Sequence, residues 1–216
     1  MPDVTLQLSA DDVRRALPMS GAIDAMRDAF TQLARGGVIL PPRSRLDAPA
    51  EQSVALVMPC HSSALKLYSV KFITLSDRNK ARGLPLIHST VLLSDGDDGR
   101  PLALIEGASL TALRTGAASG LATDLLARPE AASVALIGSG TQARTQLEAV
   151  TCVRRIRQVR VYDSDAASAG RLADAMRGRG FDIEPVASPS AALRDADIIC
   201  TATTAATPVF EDCDVQ

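Results

Sequence analysis

The chain has 216 residues, of which 46% are hydrophobic and 22% are charged. This balance is typical of a globular protein and excludes a disordered chain, which carries few apolar residues and a large net charge. The 23 Lys and Arg residues nearly balance the 25 Asp and Glu residues, giving a net charge of -2. Proteins that bind nucleic acid or anionic membranes usually carry a basic surplus, so the composition argues against both partners.

The N-terminal segment and the cysteines bear on the cellular compartment. Met1–Thr5 has no basic residue followed by an apolar run, so it lacks the pattern of a signal peptide. No apolar run approaches the ~18–20 residues that span a bilayer. The spacing of Cys60, Cys152, Cys200 and Cys213 permits two disulfides but favours reduced, buried thiols. These features predict a cytoplasmic protein.

The first predicted elements are two helices and an extended segment. Ser9 is predicted to cap a short helix that ends at Leu17, before a proline, and Ser20 to cap a second helix. The second helix is predicted to end at Gly36-Gly37. Pro41–Arg45 is predicted to be extended, because proline fixes φ and disfavours helix in the residue before it.

Four strands and one long helix are predicted next. The strands cover residues 53–58, 65–75, 85–93 and 101–105. Two Asp-Gly turn signals between the last two strands predict an antiparallel hairpin, and helices followed by neighbouring strands predict an α+β domain. The helix covers residues 108–127, and its many small residues allow close packing. Its predicted shared face carries Leu110, Leu113, Ala117, Leu121 and Leu125.

The second half of the chain alternates strands and helices. Predicted strands cover residues 133–137, 158–162, 181–186 and 197–201, and predicted helices cover 141–153, 166–179 and 189–194. This order predicts a parallel, doubly wound sheet of the Rossmann type. The predicted fold class is therefore α/β, with an α+β domain at 1–112 and a partial Rossmann domain at 113–216. A complete Rossmann fold has about six strands, so four predicted strands indicate a C-terminally truncated chain.

The most specific motif is a glycine turn, Gly138-Ser139-Gly140-Thr141-Gln142-Ala143, which follows an apolar strand and begins a helix. In such a motif the first glycine allows the tight turn and the second lets a pyrophosphate approach the backbone. The small residue at Ala143 lets helix and strand pack closely. Because a helix N-terminus offers N–H donors and partial positive charge, the motif predicts a dinucleotide site.

Asp163 is the acidic residue expected to accompany this motif. It follows the second strand of the alternating half, where a carboxylate accepts hydrogen bonds from the adenosine ribose. No Arg follows it directly, and a carboxylate repels a 2′-phosphate, so NAD is predicted and NADP is less favoured. Arg160 and Arg171 lie near enough in the sequence to keep NADP open. The alternative is an ordinary βαβ turn with a solvated Asp.

Three cationic residues are candidates to bind a carboxylate, although each could instead be a solvated surface residue. Arg43 lies in the proline-stiffened segment, and a planar guanidinium is the preferred carboxylate ligand. Lys71 lies within an apolar strand, where a buried ammonium needs an anion, and Arg114 lies in the small-residue helix. His61 and His88 have no metal-ligand neighbour at helical or strand spacing, so no metal site is predicted.

Several stretches, in this order, resemble the ornithine cyclodeaminase/μ-crystallin family over essentially the whole chain. They are Pro41-Pro42-Arg43-Ser44, Val70-Lys71-Phe72, Gly83-Leu84-Pro85 with His88, Leu110–Ser119, Leu125–Pro129 and Leu136–Ala143. The resemblance implies an N-terminal substrate-binding and dimerisation domain, a Rossmann NAD(P) domain and a homodimer. It implies that Arg43 (or else Arg45), Lys71 and Arg114 surround the substrate carboxylate. Cofactor contacts are implied for Thr90, Arg114, Thr115, Thr141, Gln142, Asp163 and Thr203 or Thr204.

The resemblance further implies an NAD-dependent enzyme that acts on a small amino or imino acid, with Lys71 and Arg114 as catalytic residues. The main interpretation is ornithine cyclodeamination, in which a hydride leaves Cα of ornithine, ammonia is lost on ring closure, and the hydride returns to give proline. Reduction of cyclic imines such as pyrroline-2-carboxylate, and amino-acid dehydrogenation, are alternatives. A non-catalytic NAD(P)-binding protein is the alternative of another class. The family's acid/base aspartate is expected after Gln216, since Asp212 and Asp214 follow the last strand too closely.

Overall fold

The computed structural model describes residues 5–215, apart from the side chain of Lys80. The chain forms two compact units. The first takes the chain up to Pro18 and then Arg27–Thr111, and the second takes Met19–Met26 and the chain from Ala112 onward. The sequence-based division placed all of residues 1–112 in one domain, whereas Met19–Met26 belongs to the second unit.

Helices at the start of the chain show how local capping fixes their bounds. Strand β1 (Leu6–Leu8) leads into α1 (Ala10–Ala16), and Ser9 caps α1 as predicted, with its backbone N–H donating to Asp12 Oδ2 at 2.9 Å. Helix α2 covers Met19–Ala34 and is preceded by Pro18 rather than capped by Ser20. That prediction is wrong because Pro18 holds an extended backbone immediately before the helix, and Ser20 already lies in its first turn.

The first unit is built on a seven-stranded sheet with the order β1-β7-β6-β5-β4-β2, and β3 also pairs with β4. Its remaining elements are β2 (Val38–Ile39), β3 (Ser44–Ala48), β4 (Ser53–Ser62), β5 (Leu67–Ser76), α3 (Arg78–Ala81), β6 (Ile87–Asp95) and β7 (Pro101–Glu106). Strands β6 and β7 form the predicted antiparallel hairpin. The sequence missed β1, β2 and α3, because two to four residues are too few to form a recognisable period. It also missed β3, whose start was predicted only as part of an extended segment, Pro41–Arg45.

Strand β4 runs four residues beyond its predicted end at Met58, through a proline. Pro59 is level with neither of the strands on that side, because β3 pairs with β4 up to Val57 and β2 pairs from His61. A proline has no N–H to donate to a neighbouring strand. Because no strand pairs with β4 at Pro59 on that side, no hydrogen bond is lost there.

One face of the sheet, termed here the open face, exposes large apolar side chains. Cross-strand register places Ile39, Leu46, Tyr68, Phe72 and Leu104 on this same face. Between 39% and 63% of each of these residues is accessible to solvent. Apolar side chains aligned in this way on a sheet are typical of a surface that another molecule covers.

The second unit contains a four-stranded, all-parallel sheet with the order β10-β9-β8-β11, which confirms the predicted parallel sheet. Its elements are α4 (Gly107–Leu126, which starts in the first unit), β8 (Ser133–Ile137), α5 (Thr141–Val153), β9 (Gln158–Tyr162), α6 (Ala166–Met176), β10 (Asp182–Pro185), α7 (Pro189–Leu193) and β11 (Ile198–Thr201). Leu136, Val159 and Val161 are fully buried in its core. Helix α6 ends three residues before predicted Arg179, ahead of Gly178, which has a positive φ.

Helices α4 and α5 are in close contact through two glycines. A Cβ at Gly116 would lie 2.5 Å from the carbonyl oxygen of Thr145, and one at Gly120 would lie 2.9 Å from the Cβ of Ala149. The predicted close packing is therefore confirmed. The prediction that Leu125 shares the buried face is wrong, since 63% of it is exposed. The contact strip consists of small residues, which a search for large apolar residues overlooks.

Within the second unit, Arg154 caps the C-terminal end of α4. Its side chain is 10% exposed, and its guanidinium donates to backbone carbonyls of Thr123, Asp124, Ala127 and Arg128 at 2.8 to 3.1 Å. The last carbonyls of a helix have no partner within the helix, and a cation there also complements the helix dipole.

The four cysteines are free, as predicted. Their predicted burial is wrong for three of them, since Cys60 is half-buried and Cys152 and Cys213 are exposed. Burial raises the pKa of the Cys200 thiol to about 11. Across residues 5–215, no helix has both the length and the apolar character needed to cross a membrane.

Candidate functional site

The glycine turn has the local structure that its sequence predicts. Gly138 follows β8 with φ +101, a conformation that L side chains rarely adopt, and its N–H donates to the carbonyl oxygen of Tyr162 at 2.7 Å. A Cβ at this position would collide with the carbonyl group of Ala202, which follows β11. The turn therefore requires glycine here on two grounds, backbone conformation and space.

Gly140 and Ala143 have opposite environments. Gly140 precedes the first residue of α5, and a Cβ built on it would meet no described atom within 4 Å. Ala143, one turn later, is fully buried in the core cluster that contains Leu136. The start of α5 thus faces open space on one side and packs against β8 on the other. The first N–H groups of a helix lack partners within it, so this end suits an anion.

Asp163 lies at the end of β9 and connects to the glycine turn. Its Oδ2 accepts hydrogen bonds from the Ser139 N–H at 2.8 Å and from the Ser139 hydroxyl at 2.6 Å. Its Oδ1 accepts from the Asp165 N–H at 2.9 Å. Burial raises the pKa of Asp163, but these hydrogen bonds outweigh it, and the net pKa lies below its usual range. The carboxylate is therefore charged at neutral pH.

These residues surround a cavity of about 470 Å³ beyond the carboxyl ends of β8, β9 and β11. Among the predicted residues, Gly138, Gly140, Asp163 and Thr203 line it. Thr204, the predicted alternative to Thr203, lines it as well. Ligands of open parallel sheets bind in such a crevice at the carboxyl ends of the strands.

Tyr162, Pro189 and Val209 also line the cavity, and the sequence analysis did not propose them. The signal available for Tyr162 was its position as the last residue of a strand in a parallel sheet. Pro189 and Val209 had no such signal, because Pro189 begins α7 and Val209 lies in the loop after β11, and only the fold brings them together.

Arg114, Thr115 and Gln142 have positions that can be inferred from helix packing. Since Gly116 meets Thr145 and Gly120 meets Ala149, α4 and α5 run in the same direction at their contact. Arg114 and Thr115 therefore lie level with the first turn of α5. Gln142 Oε1 in that turn is buried and has no hydrogen-bond partner among the described residues. Burying an amide oxygen without a hydrogen bond costs folding free energy, so Gln142 Oε1 is a candidate to accept a hydrogen bond from a ligand.

In the first unit, the two candidate arginines differ in what they bind. The Arg45 guanidinium forms hydrogen bonds with both carboxylate oxygens of Asp47 at 2.6 to 3.0 Å. In the described part of the chain, no carboxylate pairs with Arg43. Both arginines border a cavity of about 710 Å³. Arg43 is therefore the better of the two for binding an external carboxylate.

Register relates Arg43 to Lys71. Arg43 directly precedes β3, whose first residue Ser44 pairs with Val57, and the next residue of β4, Met58, pairs with Lys71. Residues that are level with one another across neighbouring strands share a face of the sheet. Arg43 borders the same cavity as Leu56 and Leu75, which share a sheet face with Lys71, so Arg43 lies on the Lys71 side of the sheet.

Thr90 lies away from this pair. It pairs with Phe72, the neighbour of Lys71 on β5, and successive residues of a strand point to opposite faces. Thr90 is exposed on the open face, whereas Lys71 is half-buried on the other. Thr90, which was predicted to contact the cofactor, and Lys71 therefore lie on opposite faces of the sheet in this unit.

The parallel sheet, the glycine turn and the acidic residue at the end of the second parallel strand define a protein of the Rossmann class. The sequence model of the ornithine cyclodeaminase/mu-crystallin family matches residues 3–216. The chain belongs to this family.

Similar proteins carry several activities. A Δ1-pyrroline-2-carboxylate reductase of Bacillus cereus is 38% identical over 96% of this chain, and an ornithine cyclodeaminase of Agrobacterium tumefaciens is 34% identical over 76%. The structure of the Thermococcus litoralis Δ1-pyrroline-2-carboxylate reductase with NADH and L-proline matches 98% of the chain with a TM-score of 0.93 and 37% identity. An archaeal alanine dehydrogenase dimer with bound NAD matches 98%, with a TM-score of 0.91 and 31% identity.

The chain is shorter than these proteins. It spans 64% of the B. cereus reductase and 46% of the A. tumefaciens cyclodeaminase. It covers 66% of the T. litoralis chain and 64% of the alanine dehydrogenase chain.

Proposed function

We propose that the protein is an NADH-dependent enzyme that reduces a cyclic imino acid such as Δ1-pyrroline-2-carboxylate. The observation that carries the proposal is the similarity, with a TM-score of 0.93, to a reductase bound to NADH and L-proline. The sequence interpretation put ornithine cyclodeamination first and imine reduction second, and the comparisons favour the second. The reductase relatives match 96% of the chain, against 76% for the A. tumefaciens cyclodeaminase.

The residues of the second unit fit a dinucleotide. The start of α5, with open space at Gly140, would receive the pyrophosphate on its N–H groups. Asp163 would accept from the adenosine ribose, and Thr203 would lie towards the nicotinamide ribose. The 2′-phosphate of NADPH would lie near the two carboxylates of Asp163 and Asp165. Because like charges repel, NADH is favoured over NADPH.

The carboxylate of the substrate would be bound by cationic side chains. Arg43 and Lys71 share a sheet face and can contact a carboxylate from two sides. Arg114 is the third cation proposed for this task. When bound, NADH supplies the hydride that converts the protonated C=N bond of the substrate to an amine. The protein's contribution is to hold the imine carbon at attack distance and in one orientation.

Ornithine cyclodeamination is the second candidate, favoured by the A. tumefaciens relative. It uses the same carboxylate binding and the same hydride transfer at Cα, so the described residues suit both reactions. Amino-acid dehydrogenation, as in the archaeal alanine dehydrogenase, also shares this step. The length of the substrate and the position of its second amine distinguish them.

We also propose that the enzyme is a homodimer that buries the open face of the first unit. Five large apolar side chains on one sheet face are a liability for a monomer. A second copy is the occupant chosen because a similar alanine dehydrogenase is a dimer. The small-molecule partner in turnover would be an amino or imino acid with a free carboxylate.

Steady-state kinetics test the reaction. NADH consumption with Δ1-pyrroline-2-carboxylate, and ammonia release from ornithine with NAD⁺, are to be measured on the same preparation. We expect the first reaction to have the higher kcat/KM and to yield proline. Ornithine turnover without imine turnover would favour the second candidate. The non-catalytic alternative would be favoured if the protein binds NADH but catalyses neither of these reactions nor the oxidation of any other amino acid.

Two variants test the carboxylate site against a matched control. Arg43→Met and Lys71→Met should each lower kcat/KM by about 100-fold, since each removes a charge-assisted contact to the substrate. Arg45→Met is the control, because Asp47 already occupies that guanidinium, and its kcat/KM should change less than about threefold. Equal losses in all three variants would contradict the assignment of Arg43.

A further inference from the structure

Most of the hydrogen-bond acceptor positions of Asp163 are already occupied by the protein itself, two of them by Ser139. Both the N–H and the hydroxyl of Ser139 donate to Oδ2 of Asp163, and the Asp165 N–H donates to Oδ1. A carboxylate has about four acceptor positions, two on each oxygen. Three are therefore occupied within the loop, and one position on Oδ1 remains for a ligand. Asp163 alone has no room to accept from two ribose hydroxyls.

The Ser139 hydroxyl changes character through this contact. A serine hydroxyl has one proton to donate and two lone pairs that accept. Because its proton is committed to Asp163, Ser139 Oγ offers only lone pairs to a ligand. Ser139 is half-buried and is not itself among the residues that line the cavity, but its neighbours Gly138 and Gly140 and its partner Asp163 do line it.

We propose that Ser139 is a specificity-determining residue for the dinucleotide, reading the adenosine ribose together with Asp163. One ribose hydroxyl donates to the remaining position on Asp163 Oδ1, and the other donates to Ser139 Oγ. This inference rests on the proposed function, since it takes NADH as the ligand. The pair is acceptor-only, so it has no proton to offer a 2′-phosphate, which itself only accepts.

The effect of Ser139 therefore depends on Asp163. While Asp163 holds the hydroxyl proton, Ser139 favours NADH. Without the carboxylate, the proton is released and Ser139 can donate to a 2′-phosphate, which favours NADPH. A serine that only supports the turn would influence both dinucleotides alike, whether or not Asp163 is present.

A double-mutant cycle tests this reversal by direct binding. NADH and NADPH are titrated into the wild type, Ser139→Ala, Asp163→Ala and the double variant, following the fluorescence of the reduced nicotinamide. In the wild-type background, Ser139→Ala should weaken NADH about threefold to tenfold and leave NADPH within about twofold. In the Asp163→Ala background, the same change should weaken NADPH about threefold to tenfold and leave NADH within about twofold.

Controls separate this effect from damage to the fold. Ser139→Thr keeps the hydroxyl and should retain the NADH preference. Ser168→Ala removes a hydroxyl on α6 that donates at 2.6 Å to Asp165 rather than to Asp163, and it should change neither affinity. Equal changes for both dinucleotides in both backgrounds would overturn the role of Ser139 while sparing the proposed function. A wild-type protein that binds neither dinucleotide would overturn both.

Discussion

The two units of this molecule differ in how completely they bury their own sheets. In the second unit, Val134, Ala135, Leu136 and Ile137 of β8 are all at most 2% exposed. In the first unit, Leu46, Tyr68 and Phe72 are each 47% exposed or more, although they lie on well-formed strands. The sheet of the second unit therefore forms its own core, whereas the sheet of the first unit has an apolar face that suits a partner.

This contrast extends to the candidate site. In the second unit the cavity, the glycine turn and Asp163 are held by backbone conformation and by hydrogen bonds between residues of that unit. In the first unit the candidate cations Arg43 and Lys71 are carried on or beside strands of the sheet, at the ends of long side chains. The proposed dinucleotide site thus has a backbone held in place, whereas the proposed carboxylate site depends on long side chains, which suits a family whose members act on different amino and imino acids.

The largest expected effect comes from filling the contact between α4 and α5. Gly116→Leu places a side chain against the backbone of Thr145, which cannot move away, and should cost more than about 3 kcal/mol of unfolding free energy. Thermal unfolding followed by circular dichroism should show a midpoint lowered by about 10 °C. Gly170→Ala is the control, because a Cβ there meets nothing within 4 Å on helix α6, and it should stabilise slightly. An unchanged midpoint for Gly116→Leu would show that the helices are not in close contact.

The next effect concerns the carbonyls at the end of α4. Arg154→Met keeps much of the side-chain volume but leaves these carbonyls without their donor, and should cost about 2–3 kcal/mol. Urea unfolding measures the loss. Arg155→Met, at the exposed neighbouring residue, should stay within about 0.5 kcal/mol of the wild type. Similar losses for both variants would contradict the buried capping role of Arg154.

The open face is tested by a change in assembly rather than in folding. Phe72→Asp places a charge in the middle of this face and should convert a dimer to a monomer that keeps its secondary structure. Light scattering coupled to gel filtration reports the mass. Leu126→Asp, at a residue 84% exposed in the second unit, is the matched control and should remain dimeric. If Phe72→Asp remains a dimer, the open face is not the interface.

The smallest effect is a change in the acid dependence of stability. Asp197 accepts from the N–H groups of Ala132 and Ser133 and from the Ser133 hydroxyl, and pairs with Arg128 at 2.6 Å. Backbone hydrogen bonds from Ala132 are the largest cause that holds the pKa of Asp197 below its ordinary value of 3.8, and burial opposes them only in part. A lowered pKa stabilises the fold above about pH 4, and this stabilisation is lost as the pH falls through the folded value.

Asp197→Asn should therefore be less stable than the wild type at pH 7, and the gap should narrow as the pH falls below 4. Urea midpoints at a series of pH values measure it. Asp182→Asn, an exposed residue at the start of β10, is the comparison and should follow the wild type. A gap that stays constant with pH would exclude the Asp197 carboxylate as its source.

The two units also differ in how far the sequence predicted them. Strands β8 and β9 and helix α5 were predicted to the residue, because fully buried parallel strands are unbroken apolar runs and the glycine turn marks the helix start. Strands β1 and β2 were missed because their pairing comes from distant partners rather than from a local pattern.

At the site, the sequence predicted which residue types lie at the glycine turn but not how they bond to one another. Asp163 was proposed from its spacing, whereas its contact with Ser139 depends on a hydroxyl orientation that no spacing encodes. The sequence preferred Arg43 to Arg45 only through the family resemblance, without a physical reason for the difference. Their difference comes from Asp47, whose carboxylate pairs with Arg45 across alternate positions of β3.

The most direct test of the account is to titrate NADH and NADPH into the wild-type protein and to follow the fluorescence of the reduced nicotinamide. The chain has no Trp, so the signal comes from the dinucleotide. Because Asp163 and Asp165 lie close together where we propose that the ribose binds, we expect the Kd of NADH to be at least about tenfold below that of NADPH. Equal affinities, tighter NADPH binding, or binding of neither would contradict the assignment of the dinucleotide site.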